Sequence, residues 1–135
     1  MDVSSLTSGA DQTYFEGLIS GEIRLQFCAG CGTSHWPAVF RCADCGSWQH
    51  EWKSVAPLGT IYSWTRTWHS FSGTDGFGIP YVSLVVSLNE VPSVRLLGVL
   101  NSVDAAPKIG LQVRAETTKV EFQNRSIPAL SWSLV

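Results

Sequence analysis

The sequence predicts a mainly β chain: a short N-terminal helix, a metal-binding ribbon, and a small antiparallel sandwich or barrel. Three observations carry this. All four cysteines fall in two Cys-x-x-Cys-Gly pairs between residues 28 and 46. From Pro57 onward, short runs of β-branched and aromatic residues alternate with turn-rich breaks. Helical spacing of apolar residues occurs in one short segment near the N-terminus.

Taken in order, residues 1–10 (MDVSSLTSGA) are Ser-rich, lack periodicity and read as a loose terminus. Residues 11–20 (DQTYFEGLIS) place Tyr14, Phe15, Leu18 and Ile19 on one helical stripe, with Asp11 positioned to cap the first turn and Gly21 to stop it. A helix this short does not hold by itself and must dock on this domain or on another chain. Glu22 to Phe27 and Ser34 to Val39 read as the strands of a first hairpin, and Gln49 to Ser54 as a strand leaving the second knuckle. Five further strands follow at residues 59–68, 80–88, 94–103, 111–120 and 127–135, separated by SGTDGFG, NEVPS, DAAPKIG and QNRS. Alternation along the first puts Tyr62, Trp64, Arg66 and Trp68 on one face. The expected organisation is a tail and docking helix over 1–21, a ribbon over 22–54 and a barrel over 55–135.

The cysteine pairs carry the most specific chemistry. In Cys28-Ala-Gly-Cys31-Gly and Cys42-Ala-Asp-Cys45-Gly, each Cys-x-x-Cys turn aims two sulfurs at one centre, and the following glycine permits the tight turn. Two such knuckles supply four thiolates in a tetrahedron, the ligand set of structural zinc. Iron uses the same knuckles in rubredoxin, but the ten residues between Cys31 and Cys42 favour a zinc ribbon. Four protein ligands close the coordination sphere, so the metal is expected to hold the fold and perform no reaction. Structural disulfides do not suit a chain whose N-terminus lacks the basic and apolar regions of a secretory signal, and the expected compartment is the cytoplasm.

Composition narrows the partners. The 135 residues carry nine Lys+Arg and eleven Asp+Glu, a net charge of -2, with only 15% charged residues. The pI is 5.8 and the mean hydropathy +0.10. Nucleic-acid binders draw affinity from phosphate neutralisation, and no basic cluster is present here. Six Trp, six Phe and three Tyr against so little charge suit a surface partly buried on a partner, although the Trp residues could instead fill a small core. No catalytic constellation stands out. His35, His50 and His69 lack a nucleophile context, SGTDGFG lacks the lysine of a phosphate loop, and the cysteines are committed to metal. Catalysis by the chain alone is therefore not expected.

A helix reading YFEGL, then CAGCGTSHWPAVFRCADCGS, GTIYSWTRTW, PYVSLVVSLNE, VRLLGVL and PKIGLQVRAE, resembles the zinc-ribbon/OB-fold proteins associated with acyl-CoA enzymes, long catalogued as a domain of unknown function. The likeness covers about residues 13–120. It implies a rubredoxin-like zinc ribbon followed by a five-stranded OB-fold β-barrel. It also implies a non-catalytic partner of thiolases, or of aldolases that cleave steroid side-chain acyl-CoAs, which helps to form the acyl-CoA channel. On that reading a two-to-two heterotetramer with a thiolase-superfamily protein is expected. Tyr14, Phe15, Leu18 and Ile19 would dock the partner, and Arg41, Arg66 and Trp68 are candidates to contact CoA. Arg41 could equally hydrogen-bond backbone around its knuckle, and Arg66 and Trp68 could lie on a barrel face without ligand. His35 to Arg41 and Leu88 to Ser93 depart from the family pattern. The rival reading is single-stranded nucleic-acid binding, with Tyr62, Trp64, Arg66 and Trp68 as a stacking strand.

Overall fold

The computed structural model describes residues 7–102 and 104–135; residues 1–6 of the expected loose terminus and Val103 of the expected third barrel strand lie outside them. The chain divides into two compact units, Met1–Ala56 and Pro57–Val135.

The first unit begins with helix α1 (Gln12–Ile19). Asp11 occupies the N-cap position but makes no side-chain cap; its carboxylate instead accepts a hydrogen bond from the Thr7 hydroxyl at 2.7 Å. Gly21, at φ 81°, ends the helix in the left-handed region that glycine enters freely. Strands β1 (Ile23–Cys28), β2 (Ser34–His35) and β3 (His50–Val55) form an antiparallel sheet in the order β2-β1-β3.

Strand β2 is far shorter than the expected 34–39. Pro37 has no N–H to continue a ladder, and the next stretch is held from the side. Gln26, 2% exposed, donates from Nε2 to the Val39 carbonyl at 2.8 Å and accepts the Val39 amide at 3.0 Å. One buried amide side chain thus replaces a strand pair, and both of its polar ends are satisfied.

The second unit is a closed barrel of β4 (Leu58–Thr67), β5 (Tyr81–Leu88), β6 (Arg95–Leu100), β7 (Gln112–Phe122) and β8 (Arg125–Leu134), in the order β4-β5-β6-β8-β7. Strand β5 alternates inward Val82, Leu84, Val86 and Leu88 with half-buried Ser83, Val85 and Ser87. The interior is completed by Ile61, Leu96, Val113, Leu130 and the fully buried Trp132. Gly98 makes room for that indole: a Cβ there would lie 2.5 Å from Trp132 Nε1. The barrel closes along short seams. Strand β4 meets β7 only over Leu58 to Thr60, and β6 meets β8 in parallel at Val99 and Leu100. At the first seam Thr60 donates to Asn89, Asn89 to Gln112, and Gln112 back to Thr60, at 3.0, 2.8 and 2.6 Å.

A bulge corrects the face assignment along β4. Ile61 pairs with Val86 and Ser63 with Val85, which leaves Tyr62 as an extra residue. One inserted residue reverses which side chains point inward. Trp64 and Arg66 therefore share a face with their partners Leu84 and Val82, whereas Tyr62 projects outward against Arg95. Trp68 lies just beyond the strand, 70% exposed. The single aromatic stripe expected from strict alternation does not form.

Candidate metal centre and docking residues

The two knuckles are built alike. Gly32 N–H donates to the Cys28 carbonyl at 2.9 Å and Gly46 N–H to that of Cys42 at 2.8 Å. The amides of Cys28 and Cys42 close the turns on the carbonyls of Thr33 and Ser47, each at 2.9 Å. Gly32 and Gly46 both sit at φ 79°. The sequence repeat is thus a repeat of backbone geometry, and it points four sulfurs at one another.

The Sγ atoms of Cys28, Cys31, Cys42 and Cys45 all lie within 4.8 Å of one another. Cys28 and Cys45 are 3.4 Å apart, and Cys31 and Cys42 3.7 Å. A disulfide needs about 2.05 Å, so these are free thiols. A tetrahedral zinc with Zn–S of about 2.3 Å separates its sulfurs by about 3.8 Å, and the cluster fits that size. Cys28 and Cys42 are buried, whereas Cys31 and Cys45 face outward.

Hydrogen bonds prepare the thiolates. The Cys31 amide leads in holding the Cys28 thiol down to about 6, helped by the Cys45 thiol and the Gly30 amide against burial. The Thr33 hydroxyl and amide lower Cys31. At Cys45 the Ser47 amide favours the thiolate, yet the thiols around it and burial together push it up to about 12. Four sulfurs this close do not all ionise unless a cation sits among them, and a divalent metal would supply that charge.

Sequence reasoning missed the groups around the sulfurs. Asp44, inside the second knuckle, accepts the Thr33 hydroxyl at 3.2 Å, and that hydroxyl lies 3.1 Å from Cys31 Sγ. His50 Nε2 meets the Phe40 carbonyl at 2.6 Å. Only the presence of a hydroxyl two residues after Cys31 hinted at the first of these contacts. Arg41 donates from Nε to the Gly46 carbonyl at 3.1 Å, so it braces the second knuckle.

The remaining candidates are dispersed. Arg66 rests over the Trp64 ring, 5.6 Å from its centroid. His69 stacks edge-on against Phe71 at 4.6 Å. On α1, Tyr14 and Leu18 are 5% and 3% exposed. The Tyr14 ring stacks 4.1 Å from that of Trp36, and Arg24 lies across Gly17. Of the expected docking stripe, Tyr14 and Leu18 are buried, Phe15 is half-buried and Ile19 exposed.

A cysteine-knuckle ribbon followed by a closed barrel in this strand order defines a ribbon-and-OB-fold protein. Residues 52–118 match the family model described as the C-terminal OB-fold domain of ChsH2. The barrel is thus similar to the OB-fold domain of ChsH2, and the fold is that of DUF35 proteins. A probable enoyl-CoA hydratase alpha subunit of Thermomonospora curvata is 33% identical over 103 residues, or 74% of this chain. The match spans only 30% of that relative's length. Among solved structures, an Ltp2-ChsH2(DUF35) aldolase superposes with a TM-score of 0.80 at 23% identity, covering 95% of each chain. A DUF35 protein of unknown function from Sulfolobus solfataricus gives 0.61 at 18% identity over 98% of this chain and 90% of its own. Among the described residues, no helix is long and apolar enough to cross a membrane.

Proposed function

We propose that the chain is a non-catalytic accessory subunit of a thiolase-superfamily acyl-CoA enzyme, a thiolase or a side-chain-cleaving aldolase, and that it helps to form the acyl-CoA channel. The observation that carries this is the barrel's match to the ChsH2 C-terminal OB-fold domain. It is supported by the likeness to a chain of an aldolase assembly and to part of a hydratase subunit. Such a subunit contributes by positioning, and by excluding water around the thioester. Structural zinc held by Cys28, Cys31, Cys42 and Cys45 would cross-link the ribbon. Phe15 and Ile19 are the helix residues left to meet the partner, in a two-to-two assembly about the enzyme's own two-fold axis. Trp68, 70% exposed, is the aromatic shelf available to it. The nucleic-acid reading loses its continuous stacking strand, because the β4 bulge parts Tyr62 from Trp64.

The test is co-expression with thiolase-superfamily enzymes from the same genome. The complex is expected to elute as a two-to-two assembly and to turn over acyl-CoA, whereas the isolated chain does not. Ile19→Asp should weaken co-elution while leaving the ribbon folded. Thiolysis or carbon–carbon cleavage by the isolated chain, or separate elution of the two proteins, would overturn the proposal.

A further inference from the structure

The short seams of the barrel leave strand edges open. On the side away from β5, the last pairings of β4 are the Ile61 amide with the Leu111 carbonyl and the Gly110 amide with the Ile61 carbonyl, both at 2.9 Å. From Tyr62 to Thr67 that edge has no hydrogen-bond partner among the described residues, while the other edge stays paired to β5 as far as Thr67 and Tyr81. All six residues are exposed or half-buried. An unpaired row of N–H and C=O groups is a template for another strand.

The other open edges are defended. Beyond Ala115, the free side of β7 carries Glu116, Lys119 and Glu121. Ahead of its seam with β6, strand β8 contains Arg125 and Pro128, and β6 ahead of that seam is limited to Arg95 to Gly98. Charges and proline are the usual guards of an edge. Between Tyr62 and Thr67 there is no proline and one charge, Arg66. That guanidinium lies over Trp64 and joins no ion pair among the described residues.

We propose that the Tyr62–Thr67 edge of β4 receives an extended segment of a partner protein as an added strand. Side chains of that segment alternate, so one face meets Trp64 and Arg66 two residues apart. The segment that complements them places an apolar residue opposite Trp64 and a carboxylate opposite Arg66. The occupant is an extended peptide that carries apolar and acidic residues in turn at every second position. Main-chain bonds supply the affinity and Arg66 the preference for negative charge. This goes beyond the accessory role proposed above and holds whichever enzyme the chain serves.

The probe is a capped eight-residue peptide in which threonine alternates with valine and glutamate, compared with a matched peptide carrying lysine for glutamate. Residue-resolved amide exchange on the full chain reads the result without any enzyme, so failure here leaves the accessory role standing. The acidic peptide is expected to slow exchange at alternate amides between Tyr62 and Thr67. The lysine peptide should bind about five-fold more weakly, the scale of one exposed ion pair, and Arg66→Glu should reverse the order. Unchanged exchange at these amides with millimolar peptide would overturn the proposal. So would protection centred on Trp68 and Phe71, or protection present without peptide in a chain that sediments as a dimer.

Discussion

Replacing Cys31 by serine tests what the proposed zinc would contribute to the ribbon. Cys31 is exposed whereas Cys28 and Cys42 are 2% and 1% exposed, so its sulfur can be removed without emptying the core. The ribbon's large buried apolar side chains are Tyr14, Leu18, Ile23 and Leu25. At about 1.5–3 kcal/mol each, they supply on the order of 6–12 kcal/mol before any chain entropy is subtracted. Structural zinc contributes about 10–16 kcal/mol in finger peptides. A bound zinc would thus match or exceed the whole apolar core of this unit, and the ribbon should not survive its loss. Elemental analysis is expected to find one zinc per wild-type chain and none in Cys31→Ser. Segment-resolved hydrogen exchange should show β1, β2 and β3 unprotected in the variant while β4 to β8 keep their protection. Wild-type levels of protection across β1 and β3 in a metal-free variant, or iron in the wild type, would refute the reasoning.

The barrel and the helix give three further expectations. Gly98→Ala sets a methyl 2.5 Å from Trp132 Nε1 and 2.7 Å from the Leu130 carbonyl; urea unfolding followed by Trp fluorescence should show a loss of about 1–3 kcal/mol. Gln112→Ala breaks the ring joining Thr60 and Asn89 at an exposed seam, and the same assay should register about 0.5–1.5 kcal/mol. Burial holds the Tyr14 hydroxyl well above its usual 10.0. The stabilisation this leaves is complete below that value and is lost as pH rises past it, because the unfolded phenol ionises first. Denaturation midpoints of the first unit should therefore fall above about pH 10, and Tyr14→Phe should flatten that fall.

The parts legible in the sequence were those fixed by local chemistry. The knuckles could be read because spacing and glycine determine a turn before any long-range contact forms. The five barrel strands could be read because each carries its own period and its own turn signals. What could not be read depends on residues far apart in the chain. A bulge at Tyr62 has no composition of its own, since it arises from the register between β4 and β5, and it scattered the aromatic stripe. Gln26 looked like any strand glutamine until Val39 lay beside it. The stripe of α1 was visible, but not that Tyr14 would meet Trp36 and so leave the outer surface. Arg41 allowed two readings from sequence, and its bond to the Gly46 carbonyl depends on a knuckle geometry that sequence alone does not display.

The unequal ladders of the barrel also carry a consequence for the order in which it forms. Strands β7 and β8 pair from Phe122 with Arg125 to Val113 with Leu134, joined by a two-residue turn at Gln123 and Asn124. Such a hairpin closes the shortest loop in the barrel and can assemble within about 1–10 μs. The β4–β7 seam instead joins residues some fifty positions apart through three pairs, and β6–β8 offers two. Long loops cost entropy before their contacts repay it, and these seams return few contacts. The β7–β8 hairpin should therefore be the early element of folding and the two seams the late ones. Substitutions at Thr60 or Val99 would then mostly accelerate unfolding, whereas those within the hairpin would slow folding.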